Sequence, residues 1–169
     1  MGENLRSADH PWLYAIGDVN GRVLLTHMGK YQGRLAADAI LGKDVSIRSD
    51  GPLSPRVIFT DPQVAAVGHT FASAQEAGLN ARAVDVETSG TAGASFVGRD
   101  TAGTSRLVVD EDRRVVVGAT FTGTETAEWI HAATIAIVGE VPLETLWHAV
   151  PSFPTRSEIW LRLLESYGL

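Results

Sequence analysis

The chain has 169 residues, 14 Lys+Arg against 20 Asp+Glu, 44% apolar residues, 17 glycines and no cysteine. That composition is globular and excludes wholesale disorder, and a net charge of −6 argues against a basic nucleic-acid surface. Zero cysteines exclude a disulfide framework, a thiolate zinc site and a thiol nucleophile within these residues. No uninterrupted apolar run approaches the roughly 18 residues of a membrane span, and the polar start carries no signal-peptide core. A soluble, cytoplasmic protein is expected.

In chain order, Trp12–Ile16 reads as a short strand that ends at Gly17-Asp18, followed by turn residues through Arg22. From Val23 to Leu41 the period becomes helical. Leu24, Met28, Tyr31, Leu35 and Ala39 form the apolar stripe, and Gly42 closes the helix. This is a strand–turn–helix unit. Residues 44–55, with two prolines and a Ser-Asp-Gly-Pro turn, read as a linker.

Beyond the linker, Arg56–Thr60 and Val64–Val67 are expected as strands separated by Asp61-Pro62. Thr70 caps a short helix that Gly78 stops. Ala81–Glu87 alternates as a strand with one wet face, and Thr88–Gly103 reads as a long loop with a short strand near Phe96. Ser105–Val109 and Val115–Phe121 flank a charged turn and predict a hairpin.

Thr122 with Glu125 reads as a capping box for a helix to about Val138, apolar on most sides and therefore buried by the sheet or by a partner. A short helix follows Pro142. Thr155 with Glu158 forms a second capping box before a final helix with Ile159, Leu163, Leu164 and Tyr167 on its apolar face. Strands followed by helices, without regular βα alternation, predict an α+β fold. Its sheet is mainly antiparallel, with helices packed on one side.

Chemical motifs are sparse. Dinucleotide fingerprints, Walker loops and zinc-protease signatures are absent. A single E-x-x-H, Glu128 with His131, reads as a polar pair on a buried helix, so no metal site is expected. Asp18 follows an apolar run and a glycine and precedes a helix. That placement suits an ordinary helix cap, or a carboxylate accepting from a ligand hydroxyl. The helix N-terminus beside it offers backbone N–H groups to an electron-rich ligand.

The segment Trp12-Leu-Tyr-Ala-Ile-Gly-Asp18, with Leu24–His27 and Gly33–Ala37, resembles the last FAD-contacting segment of pyridine nucleotide-disulfide oxidoreductases. Val57–Gly68, with its F-T-x-P-x-V-A-x-V-G pattern, resembles the entry to that family's C-terminal dimerisation domain. The pattern continues through Gly118, Gly123, Ala127 and Glu128.

The resemblance implies FAD contacts at Gly17 and Asp18, with Asp18 on the ribityl chain, and at the Leu25, Thr26 and His27 backbone near the flavin ring. It implies a homodimer formed through residues 56–169, with residues 1–43 a remnant of the FAD domain and 44–55 the linker. The FAD and NAD(P)H domains would precede this segment in a longer parent, leaving the fragment alone inactive with an incomplete FAD site.

Disulfide reductases of the family carry His-Pro-Thr-x-Ser-Glu. Here Pro154-Thr155-Arg156-Ser157-Glu158 matches, but Phe153 stands where the His is expected. His148 and Glu158 are the remaining candidates for an acid/base pair. The departure implies hydride transfer from NAD(P)H through FAD to a quinone-like or other non-disulfide acceptor. The alternatives are a dihydrolipoamide dehydrogenase-like or mercuric reductase-like enzyme, or a purely structural dimerisation module.

Overall fold

The computed structural model describes residues 1–96, 98 and 102–169, and its chain divides into two compact units, Met1–Ser54 and Pro55–Leu169. In the first unit the principal element is helix α1, Thr26–Ile40. It starts three residues later than its periodicity suggests, because Leu25 is extended at φ −136° and ψ 131°. Its buried line is Met28, Gln32 and Ala36. Leu24 therefore lies outside the helix and is exposed, and Tyr31, Leu35 and Ala39 flank the buried line.

The expected strand at Trp12–Ile16 does not form. Only Tyr14 bridges to Arg6, and Trp12 is 77% exposed and stacks on His10. A strand needs a neighbour to complete its ladder, and this unit supplies none beyond that bridge. Residues 44–54 pack within the unit. The Ile47 N–H donates to the Glu3 carbonyl, the Arg48 N–H to the Tyr31 hydroxyl, and Arg22 pairs with Asp50.

The second unit is built on a five-stranded antiparallel sheet. Its strands are β1 (Arg56–Ile58), β2 (Gln63–Gly68), β3 (Ala81–Glu87), β4 (Thr104–Asp110) and β5 (Val115–Gly123), in the order β1-β2-β5-β4-β3. The β-branched residues of β4 and β5 make the centre: Val108, Val109 and Val116 are almost wholly buried. A register shift at Val108/Val109 bulges the pair. On β3 the alternation places Asp85 opposite Arg106, which grips it through Nε at 2.6 Å and Nη2 at 2.7 Å.

Helix α2 (Phe71–Glu76) begins at a Thr70–Ser73 capping box and closes over Val108, Val115 and Val117 through Ala74 and Phe71. Helix α3 (Thr126–Val138) packs on β2 and β5, and α5 (Ile159–Tyr167) packs on β3 and β4. The two helices meet over Phe121, whose ring lies 6.2 Å from that of Trp129 and 6.4 Å from that of Trp160. Short α4 (Leu143–Trp147) follows Pro142.

Two expectations in this unit are corrected. Thr122 does not cap α3, because it belongs to β5, where it accepts from the Thr104 N–H at 2.7 Å. Glu125 itself precedes the helix, in the left-handed region at φ 60°. Near Phe96 the chain forms a 3-10 turn, Ala92–Phe96, not a strand, and positions 97 and 99–101 of that expected loop lie outside the described residues. No helix is long and apolar enough to cross a membrane among the described residues.

Candidate cofactor segment and C-terminal motif

In the first unit the fold builds a tight corner from two glycines and one amide. The 3-10 turn Gly17–Asn20 follows extended Ile16, and Gly17 takes φ 68°, which a side chain would strain. A Cβ on Gly29 of α1 would lie 3.3 Å from the Gly17 Cα, so turn and helix lie backbone against backbone. Gln32, fully buried one turn further on, ties the corner together. Its Oε1 accepts from the Gly17 N–H at 2.7 Å and from Asn20 Nδ2 at 2.7 Å.

Asp18 projects from this corner with an exposed side chain, and among the described residues its carboxylate receives no hydrogen bond. It therefore does not cap α1. The helix starts with neither a side-chain cap nor an acidic residue in its first turn, leaving its positive end unneutralised. Leu25, Thr26 and His27 occupy that end, with Thr26 and His27 exposed. An acceptor-only carboxylate on the turn that packs against α1 fits a ligand that carries hydroxyls. Gln32 was not legible as the organiser of this corner. Its only sequence signal is an amide on the apolar line between Met28 and Ala36.

The C-terminal motif lies in the second unit. His148 terminates α4 with its side chain exposed. Phe153 is 78% exposed and joined to Pro154 by a cis peptide bond. Thr155 and Glu158 form the reciprocal capping box that the sequence predicts: the Thr155 N–H donates to Glu158 Oε2 at 3.2 Å, and the Thr155 hydroxyl accepts from the third backbone amide. That contact holds the buried Glu158 carboxylate. Among the described residues no hydrogen bond joins His148 to Glu158, so the chain does not assemble a dyad.

Arg156, between Thr155 and Ser157, carried no site reading from sequence. Its guanidinium lies 4.2 Å from the centre of the Trp129 ring, and burial lowers its pKa from the ordinary arginine value against a weaker opposing pull from Glu125. Glu128 and His131 are both exposed and make no mutual hydrogen bond, which overturns the buried-pair expectation. Among the described residues no cluster of three or more His, Asp or Glu forms a metal site.

The helical layer also carries an apolar groove of about 300 Å³ lined by Ala132, Ile135, Ala136, Leu146, Ala149 and Trp160, among others. Ile135 is 58% exposed at its edge. Helix α3 is thus apolar on the sheet side and on part of its outer side.

An antiparallel α+β unit with an apolar outer helix has the make-up of an interface domain. Residues 54–163 match the family described as pyridine nucleotide-disulphide oxidoreductase, dimerisation domain, and the chain belongs to that family. The dihydrolipoyl dehydrogenase of Chlamydia pneumoniae is 33% identical over 150 residues, which is 89% of this chain and 32% of that protein. That of Bacillus subtilis is 43% identical over 70 residues, 41% of this chain and 14% of its own.

Among solved structures, LpdA of Mycobacterium tuberculosis superposes with a TM-score of 0.88 at 22% identity, covering 100% of this chain and 36% of that one. The HOCl-induced flavoprotein disulfide reductase RclA of Escherichia coli, as its Cu(II) complex, gives 0.83 at 23%, covering 98% and 37%. These two likenesses show the fold. The chain spans about a third or less of the length of these relatives. The family is one of FAD- and NAD(P)-dependent enzymes.

Proposed function

We propose that this chain is the C-terminal dimerisation portion of an FAD-dependent NAD(P)H oxidoreductase. Residues 1–43 would end the FAD-binding domain, and residues 56–169 would pair two copies as a homodimer. The preceding FAD and NAD(P) domains of the same protein are its other partner. FAD, when bound, supplies hydride acceptance from a nicotinamide and electron donation to a second substrate. Asp18 would hold the ribityl hydroxyls, and Gly17 would keep the backbone close to α1. The backbone at Leu25, Thr26 and His27, where α1 begins, would lie near the electron-rich part of the ring system. Alone, the chain offers an incomplete FAD site and no catalysis.

For the parent, the reading is reduction of a quinone-like or other non-disulfide acceptor. The observation that carries it is Phe153. An exposed, non-ionisable ring stands where a thiol-handling enzyme of the family has its histidine, and Glu158 is engaged as a helix cap. Phe153 has no proton to give or take, and among the described residues no hydrogen bond gives Glu158 an imidazole to orient.

A second reading, a dihydrolipoamide dehydrogenase-like activity, is favoured by the names of the relatives that are 33% and 32% identical over 150 residues, 89% of this chain. A protein that contains this chain and the preceding domains separates the two readings. NAD(P)H oxidation driven by a soluble quinone and not by dihydrolipoamide or lipoamide supports the first, and the reverse preference overturns it. Visible flavin absorbance of the purified chain itself should be absent. Stoichiometric bound flavin would show the segment to be a complete site.

A further inference from the structure

The apolar groove of the helical layer lies beside a side chain suited to fill it. Residues of α3, α4 and α5 line the groove together with Ala149 and Pro151, and none of the described residues that line it is ionisable. Between those last two positions stands Val150, which is 84% exposed and so does not fill the groove of its own chain. Main-chain bonds hold it there: the Ala149 N–H donates to the Leu146 carbonyl and the Val150 N–H to the His148 carbonyl, each at 3.0 Å. Ile135, Val138 and Trp147 add exposed apolar surface on α3 and α4.

The groove's volume of about 300 Å³ is ample for an aliphatic side chain, since a dry cavity of roughly 150 Å³ already takes a benzene ring. A protrusion next to a recess on one chain is the arrangement that a two-fold axis makes self-complementary, because each protrusion then meets the recess of the other copy. Charge points the same way. Two chains of net charge −6 repel each other, and a contact lined by no ionisable side chain adds no like-charge pair.

We propose that two copies of this chain pair isologously through this groove, with Val150 of each entering the groove of the other against Ile135 and Trp160. The proposal rests on the homodimer reading and adds to it which residues meet.

The chain has no cysteine, so single-cysteine variants report the contact without background. Val150→Cys and Ile135→Cys, one carrying a mass tag, are mixed at micromolar concentration and oxidised with copper phenanthroline. Each chain then has one thiol, so a disulfide joins two chains and never one to itself. The mixed disulfide should be the main covalent product, and it should be lost when Glu87→Cys on β3 replaces either variant. Ala132→Cys, at a second lining position, serves if Ile135→Cys weakens the dimer.

Val150→Asp should keep the wild-type circular dichroism spectrum, because the residue is exposed in the single chain. It should raise the dimer dissociation constant about thirtyfold in sedimentation. Dimeric cysteine variants that yield no mixed disulfide, or a Val150→Asp chain that dimerises as the wild type does, overturn this pairing and leave the homodimer reading standing. A wild-type chain that is monomeric at micromolar concentration overturns both.

Discussion

Gly68 and Gly118 pair across the β2–β5 ladder, and neither leaves room for a side chain. A Cβ on Gly118 would lie 1.9 Å from the His69 carbonyl oxygen, and one on Gly68 would lie 2.2 Å from the Val117 carbonyl oxygen. Gly68 also takes φ 79° as β2 turns toward α2. The obstacle in each case is backbone, which cannot rotate away. Gly118→Ala should cost roughly 3–5 kcal/mol, enough to unfold much of a marginally stable domain. Denaturant unfolding monitored by tryptophan fluorescence checks it, and a cost under about 1 kcal/mol would count against this packing.

The Thr155–Glu158 box makes a different prediction from an acid/base role. Glu158→Gln keeps an oxygen to accept the Thr155 N–H and should be nearly neutral to stability. Glu158→Ala and Thr155→Ala should each cost about 1 kcal/mol. Their combination should cost less than the sum, because both substitutions break the same contact. A double-mutant cycle on chemical unfolding measures this, and full additivity would contradict the box.

Acid stability should depend on Asp110. Its buried carboxylate accepts from Arg113 Nε at 2.8 Å and from the backbone amides of Asp112 and Arg113. The Arg113 hydrogen bond, helped by those amides and opposed by burial, holds its pKa below the ordinary aspartate value of 3.8. A lowered folded pKa means the stabilisation is complete above that ordinary value. It is lost as the pH falls through the folded one. Asp110→Asn should lower stability at neutral pH by about 1–3 kcal/mol and flatten the loss of stability on the acid side. Unfolding free energies measured from neutral pH downward would expose an unchanged acid slope, which contradicts the assignment.

The outer face of α3 predicts the behaviour of one substitution. Ile135 is exposed at the edge of the apolar groove and makes no part of the sheet-facing core, where Ile130, Ala133 and Ile137 are buried. Ile135→Asp should therefore leave the circular dichroism spectrum and monomer fold intact. It should raise the dimer dissociation constant about thirtyfold or more. Loss of the fold would show that this face is internal.

Most of the second unit was legible because its signals are local. The alternation of Ala81–Glu87, the Thr70 cap before Gly78 and the Thr155/Glu158 spacing each specify their element without distant help. Trp12–Ile16 misled because apolar residues announce a strand whether or not a neighbour exists to pair with it. Thr122 and Glu125 matched a cap by spacing, yet Thr122 had already found a partner across the hairpin in Thr104.

The candidate site was legible only at Gly17 and Asp18, where turn chemistry singles out the residues. Gln32 and Arg156 were missed because their roles arise from tertiary contacts, with Gly17 and Asn20 in one case and Trp129 in the other.

As proposed above, residues 56–169 bring two copies of the chain together. Sedimentation equilibrium of the purified chain at micromolar concentration tests it directly. The expected result is a species of twice the chain mass that Ile135→Asp converts to monomer. A wild-type chain that stays monomeric throughout that range would contradict it.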